Sequence, residues 1–217
     1  MVGQGVLREC LLDPEVELVQ IIGRTASGVQ HAKIREMVRS DLLNYADVEP
    51  QLAGFDACFF CLGISVSGTT EAGYERITYG ITMALAQVLE RLSPGLTFVY
   101  VSGAGTDSSE QGRMMWARVK GKTENALLRL FKTAYMFRPG TIQPVHGERS
   151  KTRAYRIAYT ILGPILPLLR RAFPRQILTT EQIGRAMLNV TKHGAPKRIL
   201  ESPDIADCSG PMAASTR

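Results

Sequence analysis

The run Phe98-Val-Tyr-Val-Ser-Gly-Ala-Gly-Thr-Asp107, followed after a polar loop by Met114-Met-Trp-Ala-Arg-Val-Lys120, decides how the chain is read. β-Branched and aromatic residues that stop abruptly in a Ser/Gly cluster describe a buried strand ending at a functional edge. In open α/β sheets ligands sit just beyond the carboxyl ends of the strands, and glycines let backbone approach them. Largely apolar side chains then recur at Trp116, Val119, Thr123, Leu127 and Leu130, so Arg113 to Phe131 is predicted as a helix with one face on the sheet. Trp116 and Lys120 are one helical turn apart, and therefore neighbours. Ser102 at the strand end and Lys120 on the next helix are expected to meet over one crevice.

Upstream, Phe55 to Leu62 reads as a buried strand ending at Gly63. Tyr74, Ile77, Ile81, Leu85, Val88, Leu89 and Leu92 follow a 3.6-residue period, which predicts a helix from Glu71 to Leu92. Val16 to Ile22 and Ile34 to Val38 are strands, the first ending in the small-residue loop Gly23 to Gly28 and the second running into Ser40-Asp41-Leu42. A short helix is expected near Ala46 to Leu52. Val6, Leu7, Cys10 and Leu11 suggest a glycine turn opening a short helix that Asp13-Pro14 stops. Downstream, Ala134 to Phe137 is a strand leading into Arg138-Pro139-Gly140. Thr179-Thr180-Glu181-Gln182 is a capping-box start for a helix ending at Gly194, and a last strand lies near Arg198 to Leu200. Strands alternating with helices imply a parallel sheet covered on both faces.

The 217 residues, 45% hydrophobic and 21% charged, supply one sizeable core. Four scattered cysteines make no disulfide framework, which points to a reducing cytoplasm. The net charge of +6 is concentrated between Arg149 and Arg175, where seven basic residues meet no acid and the rest of the chain is near neutral. No stacking aromatics or docking element accompany them, which argues against nucleic-acid binding. The apolar run Ile157 to Leu169 within that segment is interrupted by Gly163, Pro164 and Pro167 and is too short to span a bilayer. Residues 149–178 are expected to form a lid over the crevice, with a peripheral contact to an acidic membrane surface through 149–175 as the alternative.

Cys58 and Cys61, three apart on a strand, point to opposite faces and are expected to be core rather than a redox or metal pair. His31, His146 and His193 show no ligand spacing, so no metal site is expected. Arg24, directly after a strand, suits a phosphate because a guanidinium clamps the anion that an acid would repel.

Taken together, these residues resemble an atypical short-chain dehydrogenase/reductase, in the branch similar to the Tat-interacting oxidoreductases and epimerase/dehydratase-like proteins. The resemblance covers about Met1 to Glu201. It implies a Rossmann-type, doubly wound parallel sheet in three α/β/α layers. Val2 and Gly3 match the end of the family's Gly-x-x-Gly-x-x-Gly phosphate turn. Arg24 stands where the adenosine ribose is read, Asp41 and Leu42 where the adenine is held, and Leu62 and Gly63 where the dinucleotide is lined. Ser102 matches the catalytic serine, Lys120 the lysine that also holds the nicotinamide ribose, and Pro139 and Gly140 the segment beside the nicotinamide.

Two departures accompany it. The family's Tyr-x-x-x-Lys is here Trp116-Ala-Arg-Val-Lys120, and an indole N–H does not exchange its proton near neutral pH as a lysine-activated phenol does. Tyr74, Tyr100 or water are the conceivable substitutes. The chain also begins inside the phosphate turn, without the family's central first strand. About four buried aliphatics at about 1.5–3 kcal/mol each are comparable with a domain's whole stability of about 5–15 kcal/mol, so a start upstream of Met1 is expected, with a damaged fragment as the alternative.

The resulting expectation is one NAD(P)-binding domain over residues 1–205 with a tail over 206–217. It would bind NADP rather than NAD and act as an oxidoreductase on an unknown carbonyl or sugar-like substrate. The alternative is a dinucleotide-binding regulatory protein without turnover.

Overall fold

The computed structural model describes residues 1–148 and 170–210. In chain order it contains α1 (Val2–Leu12), β1 (Val19–Gly23), β2 (Ile34–Val38), β3 (Ala57–Phe60), α2 (Glu71–Glu75), a π-helical turn (Arg76–Gly80), α3 (Ile81–Leu92), β4 (Thr97–Val101) and α4 (Met115–Leu130). There follow β5 (Ala134–Arg138), β6 (Thr141–Gln143), β7 (Ile177–Thr179), α5 (Thr180–His193), β8 (Ile199–Glu201) and α6 (Ser202–Cys208). Strands β3, β4, β5 and β8 form a four-stranded parallel sheet in the order β3-β4-β5-β8. β1 and β2 form a separate parallel pair, as do β6 and β7.

The period-2 alternation of the sheet explains its two cores. Phe60, Phe98, Tyr100, Ala134 and Met136 face one side, where Leu85 and Leu89 of α3 and Leu127 of α4 cover them. Val99, Tyr135, Phe137 and Leu200 face the other, under Val6 and Cys10 of α1, Ile183 and Met187 of α5 and Ile205 of α6. This is the three-layer Rossmann arrangement that the alternating elements predict. Cys58 packs with the first cluster and Cys61 with the second, so the two thiols do lie on opposite faces.

α1 packs against both β1 and β3, yet among the described residues no strand hydrogen-bonds those two to each other.

Several local differences have physical reasons. α1 begins at Val2 and takes Gly3 and Gly5 inside it, in place of the expected glycine turn. Gly5 is there for helix packing: a Cβ on it would lie 2.6 Å from Cβ of Thr180 in α5, and one on Gly184 of α5 would lie 2.7 Å from Cγ of Glu9. Glu49–Gln51 is a single 3-10 turn rather than a helix, with Pro50 in its first turn. The sequence pattern misses β6, β7 and α6, and the last of these occupies Ser202–Cys208, where the tail was expected to begin. The capping box at α5 is formed as predicted: Thr179 Oγ1 accepts from Gln182 N at 3.0 Å and Gln182 Oε1 accepts from Thr179 N at 2.9 Å.

The expected lid or membrane segment lies outside the described residues except for its last part from Arg170, and the tail beyond Gly210 lies outside them too. Among the described residues, no helix is long and apolar enough to cross a membrane.

Candidate functional site

Three loops leave the carboxyl ends of β1, β2 and β3 and converge on one cleft. It has a volume of about 190 Å³ and is lined by Arg24, Ser40, Asp41, Leu42, Leu62 and Gly63 from those loops, together with Arg76 and Ile77 of the π turn and Ile81 of α3. Arg24, Asp41 and Leu42, expected at the adenosine, and Leu62 and Gly63, expected to line the dinucleotide, therefore share one cleft. Leu42 is buried, so it forms the floor, whereas Arg24 is exposed at the rim. Asp41 Oδ1 accepts from Leu43 N at 2.8 Å, an Asx turn that fixes the loop.

Val2 and Gly3 occupy the first turn of α1. A Cβ on Gly3 would stand 3.4 Å from Cβ of Cys61, so the amino end of α1 abuts the end of β3 next to Leu62 and Gly63. No side chain caps that helix end and no acid lies in its first turn. Its orphan N–H groups and positive dipole end suit an anion such as a pyrophosphate.

The second half of the site gathers around β4, α4 and β5. Lys120 Nζ donates to the carbonyl oxygen of Ser102, so the two do meet, through the backbone of one and the ammonium of the other. Burial draws the Lys120 ammonium down from its ordinary 10.5 to about 8, and the Glu124 carboxylate acts against that fall. Lys120 Nζ would lie 3.9 Å from a Cβ on Gly103, and Pro139 O accepts from Ala104 N at 3.0 Å. Gly140 N donates to Ser202 Oγ at 2.8 Å. Ser102, Lys120, Pro139 and Gly140 thus lie close together at the carboxyl ends of β4 and β5. Gly105, at φ 83°, turns the loop in the left-handed region, and a Cβ on it would touch Trp116 Cη2 at 3.5 Å, so the indole lies against that turn.

The Ser102 side chain is otherwise engaged. It is 5% exposed, its Oγ donates to Glu124 Oε1 at 2.5 Å, and it also lies 3.0 Å from Phe137 O. A hydroxyl has one proton, and the carboxylate takes it. Glu124, fully buried, also accepts from Arg138 Nε at 3.0 Å and Nη2 at 2.5 Å, while Arg138 reaches Ser108 Oγ at 2.6 Å. Arg138 is therefore an anchor beneath Pro139-Gly140.

Tyr74 and Tyr100, the conceivable stand-ins for the missing phenol, are 2% and 1% exposed. Tyr100 packs in the core beside Phe60, its ring tilted and 6.0 Å away, and burial raises its phenol far above the usual range. Neither occupies the crevice. Sequence reading alone misses Arg76, Ser40 and Glu124. For Glu124 a signal existed: a carboxylate between Thr123 and Leu127 on the sheet-facing side of α4, one turn after Lys120.

Compared by sequence, the chain matches no known protein-family pattern and no curated protein. Compared by structure, it is similar to several solved structures. RMD from Pseudomonas aeruginosa, whose structure is complexed with NADPH, superposes with a TM-score of 0.58 at 16% identity over 93% of this chain and 72% of that one. The Bordetella bronchiseptica enzyme WbmG, in complex with NAD, gives 0.65 at 10% identity over 93% and 68%. ADP-L-glycero-D-manno-heptose-6-epimerase from Helicobacter pylori gives 0.64 at 14% identity over 93% and 73%. Identities this low show the Rossmann fold, and the chain spans about two thirds to three quarters of the length of these structures.

Proposed function

We propose that this chain binds NADP(H) across the carboxyl ends of its sheet and works as an oxidoreductase on a carbonyl or sugar-like substrate. One observation carries the reading: Arg24, Asp41, Leu42, Leu62 and Gly63, from three separate strand ends, line a single cleft beside the uncapped amino end of α1. The structure neighbours that hold NAD or NADPH support the dinucleotide class. Preference for NADP rests on Arg24, whose guanidinium suits a 2′-phosphate.

In this reading Leu42 and Leu62 pack the adenine, Asp41 accepts from its amino group, and the first turn of α1 holds the pyrophosphate. Gly103, Pro139 and Gly140 leave room for the nicotinamide half. The cofactor supplies the hydride. Lys120 holds the proton: the Trp116 indole does not release its own and that of Ser102 is committed to Glu124, whereas an ammonium near pKa 8 can give up a proton around neutrality.

The test follows NADPH consumption with a panel of aldehydes, ketones and keto-sugars, wild type beside Lys120→Met. Turnover that Lys120→Met abolishes is expected, and turnover that survives the substitution refutes Lys120 as the proton source. A second reading, dinucleotide binding without turnover, is favoured by Trp116 in the phenol's place. NADPH binding with no consumption across the panel would select it.

A further inference from the structure

We propose that Arg76 is a second phosphate-binding residue, which with Arg24 makes the cleft selective for a ribose 2′-phosphate. The inference rests on the dinucleotide reading above and assigns Arg76 a part in it. Arg24 reaches the cleft from the end of β1 and Arg76 from the helical run after β3, so two guanidiniums from different elements line the same 190 Å³ space, with Ser40 on its wall.

Both arginines are exposed, and neither has a carboxylate partner among the described residues. Several other arginines are paired locally, Arg39 with Asp47 at 2.8 Å, Arg91 with Glu49 at 2.7 Å, Arg118 with Glu71 at 2.7 Å and Arg138 with Glu124 at 2.5 Å, while Arg35, Arg113 and Arg129 are unpaired among the described residues like Arg24 and Arg76 but do not line the cleft. Arg118 and Lys122 take up Glu71 and Glu75, the acids nearest Arg76 in sequence, so those acids are directed toward α4. Among the described residues Asp41 is the one carboxylate on the cleft wall, and it spends Oδ1 on its own turn.

The backbone is distorted at the same place. The helix from Glu71 to Leu92 is interrupted by the π turn Arg76–Gly80, whose extra residue per turn rotates α3 relative to α2, and Arg76, Ile77 and Ile81 all reach the cleft. A π turn weakens helical hydrogen bonding, and such turns concentrate at functional sites. Two uncompensated, permanently charged forks with a hydroxyl nearby match a phosphate dianion better than a neutral ribose.

The experiment measures 2′-AMP and 5′-AMP as competitors of NADPH fluorescence on the full chain, for wild type, Arg76→Gln, Arg76→Lys and Arg24→Gln. Wild type is expected to prefer 2′-AMP. Arg76→Gln is expected to weaken 2′-AMP by about tenfold or more, as for loss of a charged hydrogen bond, and to leave 5′-AMP within about twofold. Arg76→Lys restores part of the preference, and raising KCl erodes it in wild type more than in Arg76→Gln. Equal weakening of both nucleotides, or no change in either, overturns the role of Arg76 while leaving dinucleotide binding intact. Failure of folded wild type to bind NADPH overturns both readings.

Discussion

Glu124→Ala should loosen the β4–α4–β5 side of the site from beneath. Glu124 is fully buried and accepts four hydrogen bonds, one from Ser102 Oγ and three from Arg138, whose Nε is shared between the two carboxylate oxygens. Alanine leaves the Arg138 guanidinium, whose side chain is 11% exposed, with only Glu201 at 3.4 Å and Ser108 as partners. Glu201 is 46% exposed and screened by water, so it compensates little. Breaking a buried pair costs about 3–5 kcal/mol, and the surviving partners place this case near the low end, at about 3 kcal/mol. With a urea slope of about 3 kcal/mol/M, the unfolding midpoint should fall by about 1 M at unchanged slope. Glu124→Gln keeps the shape and one acceptor and should lose about half as much. Removing the carboxylate also removes what opposes the burial of Lys120, so the Lys120 ammonium should titrate below about 8. A midpoint within about 0.3 M of wild type for Glu124→Ala would refute the anchoring role.

Lys120 should leave a pH signature. Its proton is released at about 8 in the folded chain and at about 10.5 in the unfolded one, so the unfolded state binds more protons between those values and stability rises with pH across that window. Relative to Lys120→Met, wild type should gain up to about 3 kcal/mol from pH 7 to pH 10.5 in urea unfolding, and a pH-independent difference would contradict the shift. Gly121→Ala should destabilise by at least about 1–3 kcal/mol, because its Cβ would fall 1.7 Å from Asp107 O, whereas Gly95→Ala, with nothing within 4 Å, serves as the control in thermal melts. Trp116→Tyr puts a phenol one turn before Lys120. It should raise NADPH-dependent carbonyl turnover by at least about tenfold, and an unchanged rate would show that the missing phenol is not what limits it.

The strands and long helices were readable because their burial patterns are local. Phe98 and Tyr100 alternate with Val99 and Val101 to opposite cores, and the run from Tyr74 to Leu92 keeps a helical period despite the π turn within it. The π turn itself was hidden, since one extra residue does not break the apolar stripe. β6 and β7, three residues each, are too short to carry a pattern, and Pro203 in the first turn of α6 reads as a break although proline is tolerated there. Gly5 looked like a turn because its reason for being glycine, Thr180, is far away in sequence. The cleft residues at strand ends were found through their order and the resemblance. Arg76 and Glu124 were not, since their significance depends on what lies across from them: an open cleft for one, and Arg138 with Ser102 for the other.

The central claim is that the cleft at the ends of β1, β2 and β3 holds a nicotinamide dinucleotide phosphate. Titrating the purified 217-residue chain with NADPH and following the cofactor's fluorescence tests it directly. Saturable binding that Arg24→Gln weakens for NADPH and not for NADH is the result expected. A chain that is folded by circular dichroism yet gives no saturable change with either cofactor would contradict the account.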